Sequence, residues 1–212
     1  MGKLSLDISM SLDGFVAGPD PTLDDPLGKG GEGLHEWAVG AASWRESHGK
    51  SGGEANVDSD VIAERLESIG ATIMGRKMFS GGEGPWEEDP NADAWWGDEP
   101  PFGHPVFVLT HHEREPLEKG ATTFTFVTDG IESALDQARA AAGDKDVALA
   151  GGADVAQQYL RAGLVDEMQI HLAPVFLGGG VRLFEGVGPD LRLEVTRVIE
   201  SPAVTHVRYR VG

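Results

Sequence analysis

Thr72-Ile-Met-Gly-Arg-Lys-Met-Phe79 decides the reading of this chain, because an apolar run stops there at a glycine followed at once by two cations. The run has the length of a buried strand. Gly75 lets backbone approach a ligand closely, and Arg76-Lys77 opens a helical turn whose free N–H groups point above the strand. Two other segments end in the same way. Pro105-Val-Phe-Val-Leu-Thr-His-His112 closes on a hydroxyl and two imidazoles, and Val147-Ala-Leu-Ala-Gly-Gly-Ala-Asp-Val155 closes on a glycine pair that feeds a helix start. Parallel strands put their carboxyl ends on one edge, so the three endings form one cradle for a phosphate-bearing cofactor. Taken singly, each segment also reads as a glycine turn with solvated cations.

Around these segments strands alternate with helices. Leu4, Leu6, Ile8 and Met10 alternate with polar residues and predict a first strand that turns at Ser11-Leu-Asp-Gly14. Residues 18–33, rich in Gly, Pro and acid, predict a loop, and Leu34, Trp37, Ala38, Ala41 and Trp44 recur at helical spacing. Asp58 or Ser59 is suited to cap a helix with the stripe Ile62, Leu66, Ile69, stopped by Gly70. Residues 80–104 predict a long irregular loop whose tryptophans are candidates for a pocket wall. Beyond it come strands at 105–110, 122–128, 146–150 and 166–176, with helices at 130–142 and 153–162. Leu191 to Val195 and Thr205 to Val211, with a turn at Ser201-Pro202, predict a C-terminal antiparallel hairpin. The expectation is one α/β domain over 1–212, with a mostly parallel sheet, helices on both faces and the hairpin at one side.

Composition narrows the function classes. A formal charge of −18 disfavours nucleic acid and anionic lipid as partners. No apolar run approaches the roughly 20 residues that cross a bilayer. The absence of cysteine excludes disulfides, thiolate metal sites and a cysteine nucleophile, and with no signal-peptide pattern a cytoplasmic location is expected. A metal site is disfavoured because no metal-ligand spacing accompanies the histidine pair. In so acidic a chain, Arg76, Lys77, His111 and His112 stand out as a local anion site. Gly151-Gly152 lacks the G-x-G-x-x-G spacing and the later acid of an ordinary NAD-binding fold.

Ser9-Met-Ser-Leu-Asp-Gly-Phe-Val-Ala17, Met74-Gly-Arg-Lys-Met-Phe79, Val106-Phe-Val-Leu-Thr110, Ala150-Gly-Gly-Ala-Asp-Val155 and the run Val165 to Gly180 together resemble the dihydrofolate reductase superfamily. They are most similar to its branch containing the reductase domain of the bifunctional deaminase-reductase of riboflavin synthesis. The resemblance implies a central sheet of about eight strands, NADPH as hydride donor, a small heterocyclic substrate and a homodimer. It places Ala17 near the nicotinamide, and Gly75, Arg76, Lys77 and Met78 near the pyrophosphate and adenosine. Thr110, His111 and His112 fall at the 2′-phosphoribose, and Gly151, Gly152, Ala153, Asp154 and Val155 under the cofactor. A 2′-phosphate carries up to about two negative charges, which gives the cation cluster a reason.

The substrate half is less legible. The riboflavin reductases carry a lysine in the first strand where this chain has Asp7, and the folate enzymes carry an acid on the helix after the first loop, where Glu36 is the counterpart in Leu34-His-Glu-Trp37. Reduction also needs a proton source, and Glu36, Asp7 and Asp13 are the candidates, although Asp13 in Leu-Asp-Gly suits a turn better. Three readings stay open: reduction of a ribosylaminopyrimidine, reduction of dihydrofolate, and binding of NADPH without turnover.

Overall fold

The structure, a computed structural model, describes residues 2–212. The elements in chain order are β1 (Leu4–Ser11), β2 (Phe15–Ala17), α1 (Glu36–Gly40), α2 (Ala42–Ser47), α3 (Val57–Ser68), β3 (Ile69–Gly75), α4 (Arg76–Ser80), β4 (Val106–Leu109), β5 (Leu117–Lys119) and β6 (Thr122–Val127). They continue with α5 (Ile131–Ala142), β7 (Asp146–Gly151), α6 (Ala153–Arg161), β8 (Glu167–Ala173), β9 (Val181–Arg182), β10 (Leu193–Glu200) and β11 (Thr205–Val211).

Nine strands form the main sheet, in the order β10-β11-β8-β1-β7-β3-β4-β6-β5. From β8 to β6 every pairing is parallel, and the antiparallel pairs β10–β11, β11–β8 and β5–β6 lie toward the two sides. The count exceeds the expected eight, because β5 is too short to show in the pattern. A separate two-stranded sheet pairs β2 with β9. Right-handed βαβ crossovers put helices on both faces of such a sheet.

Alternation along β1 assigns the faces. Leu4 and Leu6, both fully buried, join Ile73, Leu149, Leu135, Ala156 and Tyr159 in the core under α5 and α6. On the opposite face, α1 to α3 cover the β1–β8–β11 region, where Trp37, Ala38 and Val204 pack together. Over β3, β4 and β6 that face is closed by α4 and the 81–104 loop, with Phe79, Val106, Val108 and Phe124 inside.

Three local expectations change. The helix read from Leu34 to Trp44 is broken at Ala41, which is extended (φ −77, ψ 142) because Gly40 and Ala42 exchange backbone hydrogen bonds with Glu54. The cap of α3 is Asn56, whose side chain accepts from the Ser59 N–H, while Ile69 and Gly70 already belong to β3. The strand expected over 166–176 stops at Ala173, where the chain turns to meet β1's end through the Leu12 N–H bond to Val175.

Candidate functional site

Register brings the three sequence segments together. Met74 pairs with Gly151 and Gly75 with Leu109, so the ends of β3, β4 and β7 lie side by side at one edge. There α4 begins directly after Gly75, and α6 begins after Gly152. A Cβ on Gly75 would lie 2.8 Å from the Val155 methyl, so glycine is what allows β3 to approach α6 so closely. Gly151 has φ +120, favouring glycine, and the Gly151–Gly152 peptide is cis. A Cβ built on Gly152 meets nothing within 4 Å, and no side chain caps α6. Its first backbone N–H groups therefore face open space with the positive end of the helix dipole behind them.

The individual candidates divide into free and engaged groups. Ala153 and Val155 are buried and pack inward, and Asp154 is exposed. Met78 borders the glycine pair, its sulfur 3.8 Å from a Cβ built on Gly151, and its carbonyl accepts from Trp95 Nε1. Ala17 ends β2 opposite Val181. Thr110 is buried and its hydroxyl accepts from the His112 N–H at 3.2 Å; His111 is exposed and His112 half-buried. Lys77 is exposed and pairs with Glu83 at 2.7 Å.

Arg76 is not the free cation that its sequence setting suggests. Its side chain is buried, ion-paired with the equally buried Asp89, bonded to Ser80 and stacked 3.3 Å from the centre of the Trp86 ring. Desolvation pulls its pKa down, the Asp89 charge opposes that, and Nη1 has no partner. Arg114 lies 5.0 Å from the same Trp86 ring and is held by Asp93 and the Ala92 carbonyl. Trp86 bonds the His112 carbonyl and packs on Phe79 and Phe126, and Trp96 packs on Phe102, so they seal the core beneath β4 and β6.

The proton-donor candidates are also placed. Glu36 is exposed on the first turn of α1. Asp13 accepts from Ser11 Oγ and from the Leu177 and Gly178 N–H groups, and those bonds, Ser11's first, bring its pKa to about 2. It fastens the 175–178 turn to the end of β1. Asp7 faces Arg65 at 3.5 Å and His171 at 3.0 Å; burial raises its carboxyl, but the charges of His171 and Arg65 outweigh it and hold it at about 2.

Sequence reasoning missed His35, whose Nδ1 is buried without a partner and whose pKa is lowered, chiefly by desolvation. It also missed Asp89, His171, His206 and Asp58. The only signal for the histidines was the period-2 polarity of β8 and β11, which reads as a wet face. Among the described residues no group of three or more His, Asp or Glu is arranged to hold a metal ion, and no helix is long and apolar enough to cross a membrane.

Comparison with known proteins adds to this geometry. A family model described as the RibD C-terminal domain matches residues 2–207. A curated relative, the uncharacterized protein YyaP of Bacillus subtilis (strain 168), is 27% identical over 216 residues, covering 99% of this chain and 96% of its own. Among solved structures, a putative riboflavin biosynthesis protein from Shewanella sp. PV-4 superposes with a TM-score of 0.65 at 22% identity, covering 99% of both chains. Dihydrofolate reductase from Enterococcus faecalis, complexed with NADP(H), does so with a TM-score of 0.56 at 13% identity, covering 99% of this chain and 96% of that one.

Proposed function

The chain belongs to the RibD C-terminal domain family, and from that premise we propose that it is an NADPH-dependent oxidoreductase reducing a pyrimidine- or pteridine-like heterocycle. The nearest named reaction is reduction of 5-amino-6-(5-phosphoribosylamino)uracil. The observation that carries the reading is the edge where Gly75, Thr110 and Gly151-Gly152 converge beneath an uncapped α6 with open space above it.

The residues fit the cofactor. The α6 N–H groups and the glycine pair hold the pyrophosphate, since a side chain at Gly152 would occupy the space a phosphate needs. Gly75 to Met78 border the adenosine side, Ala17 borders the nicotinamide, and Ala153, Asp154 and Val155 form the helix start below. Thr110, His111 and His112 would meet the 2′-phosphate, with Arg76 holding the adjoining loop in place. When bound, NADPH supplies hydride to an electrophilic carbon of the substrate. The chain's own contribution is orientation at the edge. Asp7, Asp13 and Glu36 remain the carboxylates from which a proton would come, and of these Glu36 is the one free of internal partners. The protein acts as a homodimer, supported by the exposed apolar side chains of β10.

Stopped-flow measurement of reduced-nicotinamide absorbance against a panel of ribosylaminopyrimidines and dihydropteridines tests the proposal. Substrate-dependent loss of the band is expected. Tight NADPH binding with no loss against any heterocycle would make the protein a nucleotide binder, and no binding of either nicotinamide nucleotide would overturn the cofactor assignment.

A further inference from the structure

Away from the cofactor edge, four titratable side chains from four elements form one buried chain. His171 on β8 sits between Asp7 of β1 and His206 of β11, with Nε2 3.0 Å from Asp7 Oδ1 and Nδ1 2.6 Å from His206 Nδ1. His206 Nε2 lies 2.9 Å from Oδ1 of Asp58 on α3. Both imidazoles and Asp58 are almost wholly buried. The cross-strand register sets this up, because Ser9 pairs with His171 and His171 with His206.

Proton counting constrains the chain. Each of its three links joins two atoms within hydrogen-bonding distance and needs one hydrogen, since two lone pairs at 2.6 Å would repel. Two ionised carboxylates and two neutral imidazoles carry only two protons. We propose that Asp7, His171, His206 and Asp58 hold three protons as a single unit, one more than the same groups carry in the unfolded protein at neutral pH, and that this shared proton fastens α1 and α3 to the sheet.

The surroundings suit such a unit. With three protons the chain has a net charge of −1 whichever atoms hold them, and Arg65 of α3 balances it beside Asp7. Other charged or titratable groups near it are Arg208 of β11, which acts on Asp7, His35 before α1, on which His171 acts, and Glu64, Asp146 and Glu167, which line the same cavity as Asp7. Burial lowers the pKa of His206, against the opposing effect of its bond to Asp58. Trp37 of α1 lies 4.5 Å from the His171 ring and 5.1 Å from the His206 ring, and donates to Ser9 Oγ at 3.0 Å. Asp7 forms part of the wall of a charged cavity of about 190 Å³ with Lys3, Arg65 and Arg208, which connects the outer end of the chain to water.

The sign of the consequence is fixed. Free imidazoles titrate near pH 6.5, so as pH rises above that the native state comes to bind one proton more than the unfolded state, and stability falls as pH rises. Urea unfolding of the full chain between pH 7 and 8.5 should show an unfolding constant that climbs about tenfold per pH unit more steeply in the wild type than in His206→Gln, whose amide can donate to His171 without the extra proton. Equal slopes would overturn the proposal. NMR of the wild type gives a readout independent of how the variant folds: a far-downfield hydrogen coupled to the Nδ1 atoms of both histidines is expected. Its absence, with both rings in the neutral pattern at pH 7, would equally overturn it.

Discussion

At the scale of single residues, Gly75 makes the sharpest prediction. A methyl there meets Val155 at 2.8 Å, in a core that cannot yield freely. Gly75→Ala should cost about 1–3 kcal/mol in urea denaturation and weaken NADPH and NADH alike. Adding Val155→Ala should restore most of both, a non-additive recovery that independent sites would not show. Arg76 makes a second. Arg76→Met leaves the Asp89 carboxylate buried without its cation, and removing one partner of a buried pair typically costs about 3–5 kcal/mol. Limited proteolysis should then cut within 81–104, and a variant as resistant as the wild type would refute the clamp. Asp7 supplies a pH dependence: its carboxyl is depressed to about 2, so its contribution is full above the ordinary aspartate value of about 3.9 and lost as pH falls toward 2. Asp7→Asn should flatten that acid limb. The glycine turns were legible in the sequence because each closes an apolar run just before a helix start. The internal partner of Arg76 was not, because Asp89 lies in an irregular loop where spacing carries no information.

At the scale of elements, most strands and helices follow from periodicity, and the departures have local causes. The 34–44 helix was interrupted by backbone pairing with Glu54, a contact that no side-chain pattern encodes. The cap of α3 fell on Asn56 rather than Asp58 because Asp58 is taken up by His206. Asn56→Ala should therefore destabilise by about 1 kcal/mol in thermal melts, whereas Asp58→Ala should cost distinctly more. Comparable losses would mean that Asp58 contributes only as a first-turn acid. Alternation in β1 and β11 correctly separated two faces, yet period-2 polarity says only that the faces differ. Helices α1 to α3 cover the polar one, so hydrogen-bonded pairs there replace the water that the pattern suggests.

At the scale of the whole molecule, the parallel order that gathers β1, β3, β4 and β7 was implied by strand-helix alternation, and with it the edge where β3, β4 and β7 end together. A proton donor was not legible, because the candidates Asp7 and Asp13 proved to be engaged with internal partners and Glu36 exposed. On the outer strand, Leu193, Val195 and Val198 are 46%, 56% and 60% exposed along the face that β11 continues with Tyr209 and Val211. Analytical ultracentrifugation should show a dimer that Val195→Lys with Val198→Lys converts to a monomer, with the fold retained by circular dichroism. A wild-type monomer would refute the assignment of that face.

The placement of β1 has a consequence for how the chain reaches this structure. Leu4 pairs with Val147 and Ser5 with Glu167, so both neighbours of the central strand come from the far end of the sequence. During synthesis β1 waits for most of the chain to emerge before either edge is satisfied, and closure of these long loops sets the pace of folding. A nascent chain arrested before β7 would leave that strand exposed for chaperones to bind.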